Sequence, residues 1–268
     1  MTGEQRSNSR LLKRCRSNDN VIMNTSYVYS ATRLNTLGTN LLSQTDIDRL
    51  LVVSSKVELE SALKETYLAP YVLETENQSV EEAIEATMVE AKRLIHRIAP
   101  EGDVFQVLWV QYDIHNLRVF AKASRQNLSF EAIEPLTSAR GIYEAKELYG
   151  HVVDGTLNRL QMNWQEVYDE ARRYVESGEL TAVDTVFDEL LFTTIKRSAL
   201  RHNDSFVRRY VKAVIDMYNI KAVLRQERLG TGTLATLFVR GGTFAATELG
   251  GTEAVIQALN TLAPDFFT

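Results

Sequence analysis

One phrase occurs twice in this chain, about a hundred residues apart. Tyr112-Asp113-Ile114-His115-Asn116-Leu117-Arg118 returns as Ile215-Asp216-Met217-Tyr218-Asn219-Ile220-Lys221. Each copy runs on into a basic tract: Lys122 and Arg125 after the first, Arg225 and Arg228 after the second. A shared Asp-x-x-Asn-Leu/Ile-Arg/Lys pattern at domain-sized spacing points to duplication of one helical unit, and so to an architectural protein before an enzyme. On a helix, Asp113 and Asn116 lie three positions apart and share a face, as do Asp216 and Asn219.

Helix signals surround both copies. Glycine and proline are scarce, at 13 and 4 of 268 residues, which favours helices over strands. Ser55-Lys56-Val57-Glu58 and Ser79-Val80-Glu81-Glu82 have capping-box form. After the second box, Ile84, Met88, Ala91, Ile95 and Ile98 recur at helical spacing, bracketed by Pro70 and Pro100. A third helix is predicted from near Asp103 to Arg125, carrying the first phrase. The second half repeats the plan: helices over 157–175 (Trp164, Val167, Tyr168 and Ala171 on one side) and 181–197, with a break at Ser177-Gly178. A long helix capped by Asp204 or Ser205 then carries the second phrase through Arg228, and Gly230, Gly232 and Gly241-Gly242 end the unit.

The expected fold class is therefore all-α. Residues 1–22 form a leader, 23–135 a first helical bundle, 136–240 a second, and 241–268 the start of a truncated third repeat. The joint between the two bundles falls at 127–141, around Pro135. Gln257-Ala258-Leu259 before Leu262-Ala263-Pro264 echoes Ser61-Ala62-Leu63 before Tyr67-Leu68-Ala69-Pro70, but no third Asn-Leu-Arg helix follows. The leader carries Arg6, Arg10, Lys13, Arg14 and Arg16. A basic arm or targeting peptide competes with a disordered leader or a start at Met23; the lack of an amphipathic apolar face favours the latter.

Several functions are disfavoured. Net charge is −5 with a pI near 5.5, so nucleic-acid binding is not expected. The one cysteine, Cys15, excludes an internal disulfide and a Cys-rich zinc site. No apolar stretch is long enough to span a bilayer. His96, His115, His151 and His202 are scattered without ligand spacing, and no phosphate loop or nucleophile elbow occurs. No catalytic, metal or cofactor site is expected.

Asp113, Asn116, Asp216 and Asn219 admit two readings: a pair of carboxylate–amide chemical sites, or polar pins that fix how each bundle closes. A catalytic group is rarely needed twice a domain apart, which favours pins. Arg118, Lys122, Arg125, Lys221, Arg225 and Arg228 either complement helix C-terminal dipoles or contact an acidic partner.

Ser26-Tyr27-Val28-Tyr29-Ser30-Ala31-Thr32-Arg33-Leu34, Leu63-Lys64-Glu65-Thr66-Tyr67, both phrases, Leu224-Arg225 and Phe238-Val239-Arg240-Gly241-Gly242 together resemble the C/d subunit of V-type and archaeal-type rotary ATPases. The resemblance implies repeated bundles in a pseudo-threefold funnel. It also implies a peripheral, non-catalytic protein, monomeric within its complex, on the cytoplasmic face of the membrane. Its implied partners are the central-stalk subunits and the proteolipid rotor ring, with no direct membrane insertion and no nucleic acid. The coupled ion, proton or sodium, is not specified. The sequence departs from the family in lacking most of the third bundle. If that truncation is artificial, Phe244, Leu249, Val255, Ile256, Leu259, Leu262, Phe266 and Phe267 should expose an apolar patch. The alternatives are a free-standing helical-repeat scaffold or regulator, and an enzyme built around Asp113 and Asp216.

Overall fold

The computed structural model describes residues 27–38, 41–73, 80–100, 102–126, 128–202, 204–229 and 238–262. The leader, Met23, Ser26, Ser79, Asn127, Gly230, Gly232, Pro264, Phe266 and Phe267, on which several expectations rest, lie outside these residues. The protein is all-α, with no strand among the described residues. The helices are α1 (Val28–Gly38), α2 (Gln44–Leu51), α3 (Lys56–Leu63), α4 (Ala69–Leu73), α5 (Val80–Ile98) and α6 (Gln106–Ser124). They continue as α7 (Phe130–Ile133), α8 (Ala145–Val153), α9 (Trp164–Ser177), α10 (Leu180–His202), α11 (Ser205–Leu229) and α12 (Thr252–Leu262).

Local chemistry sets the boundaries. Ser43 begins α2 by a reciprocal cap: its Oγ accepts from the Asp46 N–H at 3.2 Å, and Asp46 accepts from the Ser43 N–H at 2.9 Å. The box expected at Ser55 forms only in part. Ser55 Oγ accepts from the Glu58 N–H, but the Glu58 carboxylate takes the N–H of Ser54 instead of that of Ser55. Pro70 does not bracket a helix but sits in the first turn of α4, where its missing N–H has no intrahelical duty. Asp204 is the cap of α11, its Oδ1 accepting from Phe206 at 2.7 Å and Val207 at 3.0 Å. Gly178 ends α9 at φ +85°, in the left-handed region that glycine occupies without strain.

Two expectations need correction. The helix predicted over 157–175 is broken: Leu157–Arg159 is a short 3-10 turn, Asn163 sits at φ +71°, and α9 starts only at Trp164. Asn158 drives the break, its Oδ1 accepting from the Gln165 N–H at the new helix start while its amide donates to Glu166. The α5 stripe is also turned from its predicted register. Ala83 and Ile98 are buried, Met88, Ala91 and Ile95 half-buried, and Ile84 exposed. Polar Glu85 and Lys92 reach the 138–141 loop from this helix, so apolar residues alone do not mark its inward side.

One core runs from Val104 to Ile215 and centres on α6, which packs against α8, α9 and α10, while α11 packs on α10. Phe120, Trp164 and Phe187 are fully buried there. The segment 128–141, expected to join two bundles, contributes to this core, with Phe130 and Ile133 buried in it and the Phe130 ring against Phe120 and Tyr149. A smaller cluster joins Ile220 and Val223 of α11 to Leu249, Val255 and Ala258. Leu249 and Val255 are thus not part of an open apolar patch, Phe244 and Leu259 are partly covered, and Ile256 is exposed. Glu227 of α11 accepts from the Thr252 N–H at 2.8 Å and so anchors the first turn of α12.

Candidate functional site: two clasps and an ion-pair seam

The side chains of each repeated phrase close on the backbone of a following loop. On α6, the Asn116 amide donates to the Ser138 C=O at 2.9 Å, and its Oδ1 accepts from the Ser138 N–H at 2.8 Å. One turn earlier, Asp113 accepts from the Ile142 N–H at 2.8 Å through Oδ2 and from the Tyr143 N–H at 3.1 Å through Oδ1. Gly141 makes this approach feasible, because a Cβ there would stand 2.2 Å from Asp113 Oδ1.

On α11 the same constellation recurs. Asn219 exchanges two bonds with Val239, both 2.9 Å, and Asp216 Oδ1 accepts from the Thr243 N–H at 2.7 Å and the Phe244 N–H at 3.3 Å. A Cβ on Gly242 would stand 2.1 Å from that same oxygen. Asp113, Asn116 and Asn219 are 0 % exposed and Asp216 3 %, so solvent does not reach these polar groups and each must be satisfied internally.

Burial pushes the Asp113 carboxyl up to about 7, against the opposing pull of the Ile142 and Tyr143 N–H groups and the Lys92 ammonium. Lys92 of α5 donates to the Gly141 C=O. Glu85, seven residues earlier on the same helix, accepts from Ser138 Oγ at 3.0 Å and pairs with Arg140 at 2.8 Å. The Arg140 guanidinium lies 4.3 Å from the centre of the Tyr112 ring. The first clasp is therefore braced from α5 as well as from α6.

The six basic residues divide into two groups. Arg118 pairs with Asp188 of α10 at 2.6 Å and lies 3.6 Å from Asp184, and Lys122 pairs with Asp184 at 2.7 Å. These two form an internal seam between α6 and α10. Asp188 also accepts from the Tyr218 hydroxyl at 3.0 Å, so it bridges α6 and α11. Arg125, Lys221, Arg225 and Arg228 are exposed, and among the described residues none of them lies in an ion pair.

The first clasp leaves its carboxylate no open face. Both oxygens of Asp113 are held by backbone N–H groups, with no exposed face for a substrate. A cleft of about 500 Å³ lies between α5 and α6, lined by Lys92, Arg93, His96, Arg97, Phe105 and Trp109 among others, with no Ser, Thr or Cys beside a base. Among the described residues, no three His, Cys, Asp or Glu side chains could together hold a metal ion. None of the described helices is long and apolar enough to cross a membrane.

The sequence model for the ATP synthase (C/AC39) subunit matches residues 30–262. The chain belongs to this family. It is 20% identical over 212 residues to the C-type subunit of the V-type sodium ATPase of Enterococcus hirae, covering 78% of this chain and 64% of that protein. The match places this C/AC39 chain among rotary ATPase subunits, and both clasps fall within the matched span.

Some working residues of this C/AC39 chain escape sequence reasoning. Asp184 and Asp188 lie four residues apart on one face of α10, but nothing in that spacing says that Arg118 and Lys122 meet them. Glu85 and Lys92 share a face of α5 by their seven-residue spacing, the one signal that could have marked them.

Proposed function

We propose that this protein is a non-catalytic adaptor in the central rotor of a V/A-type proton- or sodium-translocating ATPase. It joins the central-stalk subunits to the proteolipid ring and sits peripherally on the cytoplasmic face of the membrane, as a monomer within the complex. The family match supports the machine. The observation that carries the mechanical role is the pair of buried clasps, which tie a long helix to its following loop in each copy of the repeat. A part that transmits torque must resist bending. Four backbone groups held by buried Asp and Asn side chains in each copy suit that need, because opening them would strand polar groups away from water.

In this reading Asp113, Asn116, Asp216 and Asn219 are structural pins, and bundles 23–135 and 136–240 turn as one body through the core that Phe120 and Phe187 share. Residues 241–268 begin a further repeat. The chain spans about 64% of the length of the matched relative. Affinity co-purification of the tagged chain from its native membranes, with mass spectrometry, tests the reading. Recovery of a ring proteolipid together with a coiled-coil stalk subunit is expected. A folded chain that recovers neither would overturn it.

A further inference from the structure

The cleft between α5 and α6 combines cations from one helix with aromatic rings from the other. Lys92, Arg93, His96 and Arg97 of α5 line it, and so do Phe105, Gln106 and Trp109 around the start of α6. Gln106 and Ile142 also line a second, smaller cleft of about 60 Å³, which carries Arg197, Arg201 and His202 of α10. The two clefts therefore adjoin. Glu90 is the sole carboxylate among their lining residues, and it is already paired with Arg93. In a chain of net charge −5, this concentration of cations is a local reversal of sign. A recess lined by one sign of charge focuses the field and gathers counter-ions.

Packing and pairing within the protein leave several of these side chains unused. Lys92 is held by the Gly141 C=O, and Arg201 lies 3.6 Å from Asp103. Among the described residues, no side-chain hydrogen bond or ion pair engages Arg97 or Arg197. Helix dipoles account for His96 and Arg97 in the last turn of α5 and for Arg201 and His202 in that of α10, but not for Arg197, a turn further in. Trp109 is half-buried yet packs in neither apolar cluster, whereas Trp164 is 1 % exposed within the larger one. We infer that this recess binds a nucleotide. The base stacks on the Trp109 indole, and the phosphates reach Arg97 and, past Gln106 and Ile142, Arg197. The main cleft, about 500 Å³, falls within the size range of small-ligand sites, about 300–1,000 Å³. An aromatic face takes any planar base, and a free guanidinium offers phosphate oxygens a planar fork of donors.

The inference concerns this recess alone and holds whichever complex the chain serves. Calorimetric titration of the full chain at low salt, with ATP and separately with inorganic tripolyphosphate, tests it. Saturable binding of both is expected, with ATP tighter by about tenfold or more, as stacking of one base contributes. ATP should also quench tryptophan emission, through Trp109, because Trp164 is out of reach of solvent. Trp109→Leu should bring ATP down to the affinity of tripolyphosphate and leave tripolyphosphate itself unchanged. Trp109→Phe, which keeps an aromatic face, should retain most of the preference for ATP. Arg97→Gln with Arg197→Gln, both at exposed positions, should weaken both ligands about tenfold or more with Tm unchanged. No saturable binding, or equal affinity for ATP and tripolyphosphate, would overturn the inference. So would an ATP affinity that Trp109→Leu or the double Arg variant leaves intact.

Discussion

Helices α6 and α11 each hold the loop that follows in the same way, yet one is sealed on its outer side and the other is open. In both, Asp and Asn bind four backbone groups, and a glycine lets the loop come close. The outer neighbours differ: α10 covers Ile114 and Ala121, while Met217 and Leu224 face solvent. The clasp is a local device that ties a long helix to the loop that follows it, whatever packs behind. The outer face is a device between repeats, finished only where another helix brings apolar area and carboxylates.

The contrast breaks most visibly through truncation of the outer face. Ile114→Ala should cost about 2–5 kcal/mol, as buried Ile truncations do, whereas Met217→Ala should stay within about 0.5 kcal/mol. Urea unfolding of the two variants measures this, and equal losses would mean that α11 is covered in solution. Next in size is the loss of a clasp. Asn116→Ala strands the N–H and C=O of buried Ser138 and should cost about 1–3 kcal/mol. Asn219→Ala should cost less, because Val239 is only half-buried and water can replace the amide. A Tm comparison of the two variants orders them.

The first clasp also carries a pH dependence. Burial raises the Asp113 carboxyl from 3.8 to about 7, so the folded state holds that proton more tightly than the unfolded chain does. Its stabilising contribution is complete below about pH 4 and is lost as pH rises through about 7. Unfolding free energies measured between those limits should therefore decline, and Asp113→Asn should flatten that part of the profile. A decline that survives Asp113→Asn would contradict the assignment.

Long helices with strong apolar content were legible in the sequence: α6, α10 and α11 lie close to where periodicity and caps put them, and the all-α class followed. The misreadings have physical causes. The predicted 157–175 helix ignored that Asn158 can bond the backbone from outside a helix and leave Asn163 in the left-handed region. The α5 stripe misjudged its inward side because Glu85 and Lys92 make long-range bonds to a loop that no local pattern announces. At the clasps, the phrase supplied the donors and acceptors on the helix side. Their partners were hidden because those are backbone groups of Ser138, Ile142, Tyr143, Val239, Thr243 and Phe244, whose side-chain identities carry no information about the bond. Only Gly141 and Gly242 left a mark, since the close approach leaves no room for a Cβ.

Native-state hydrogen exchange at those six loop amides tests the repeated clasp most directly. If Asp113, Asn116, Asp216 and Asn219 are structural pins, the amides of Ser138, Ile142 and Tyr143, and those of Val239, Thr243 and Phe244, should all exchange slowly, near the rate set by opening of their own helix. Exchange of either set at the rate of an unprotected loop would contradict the account, because those buried side chains would then be free for some other task.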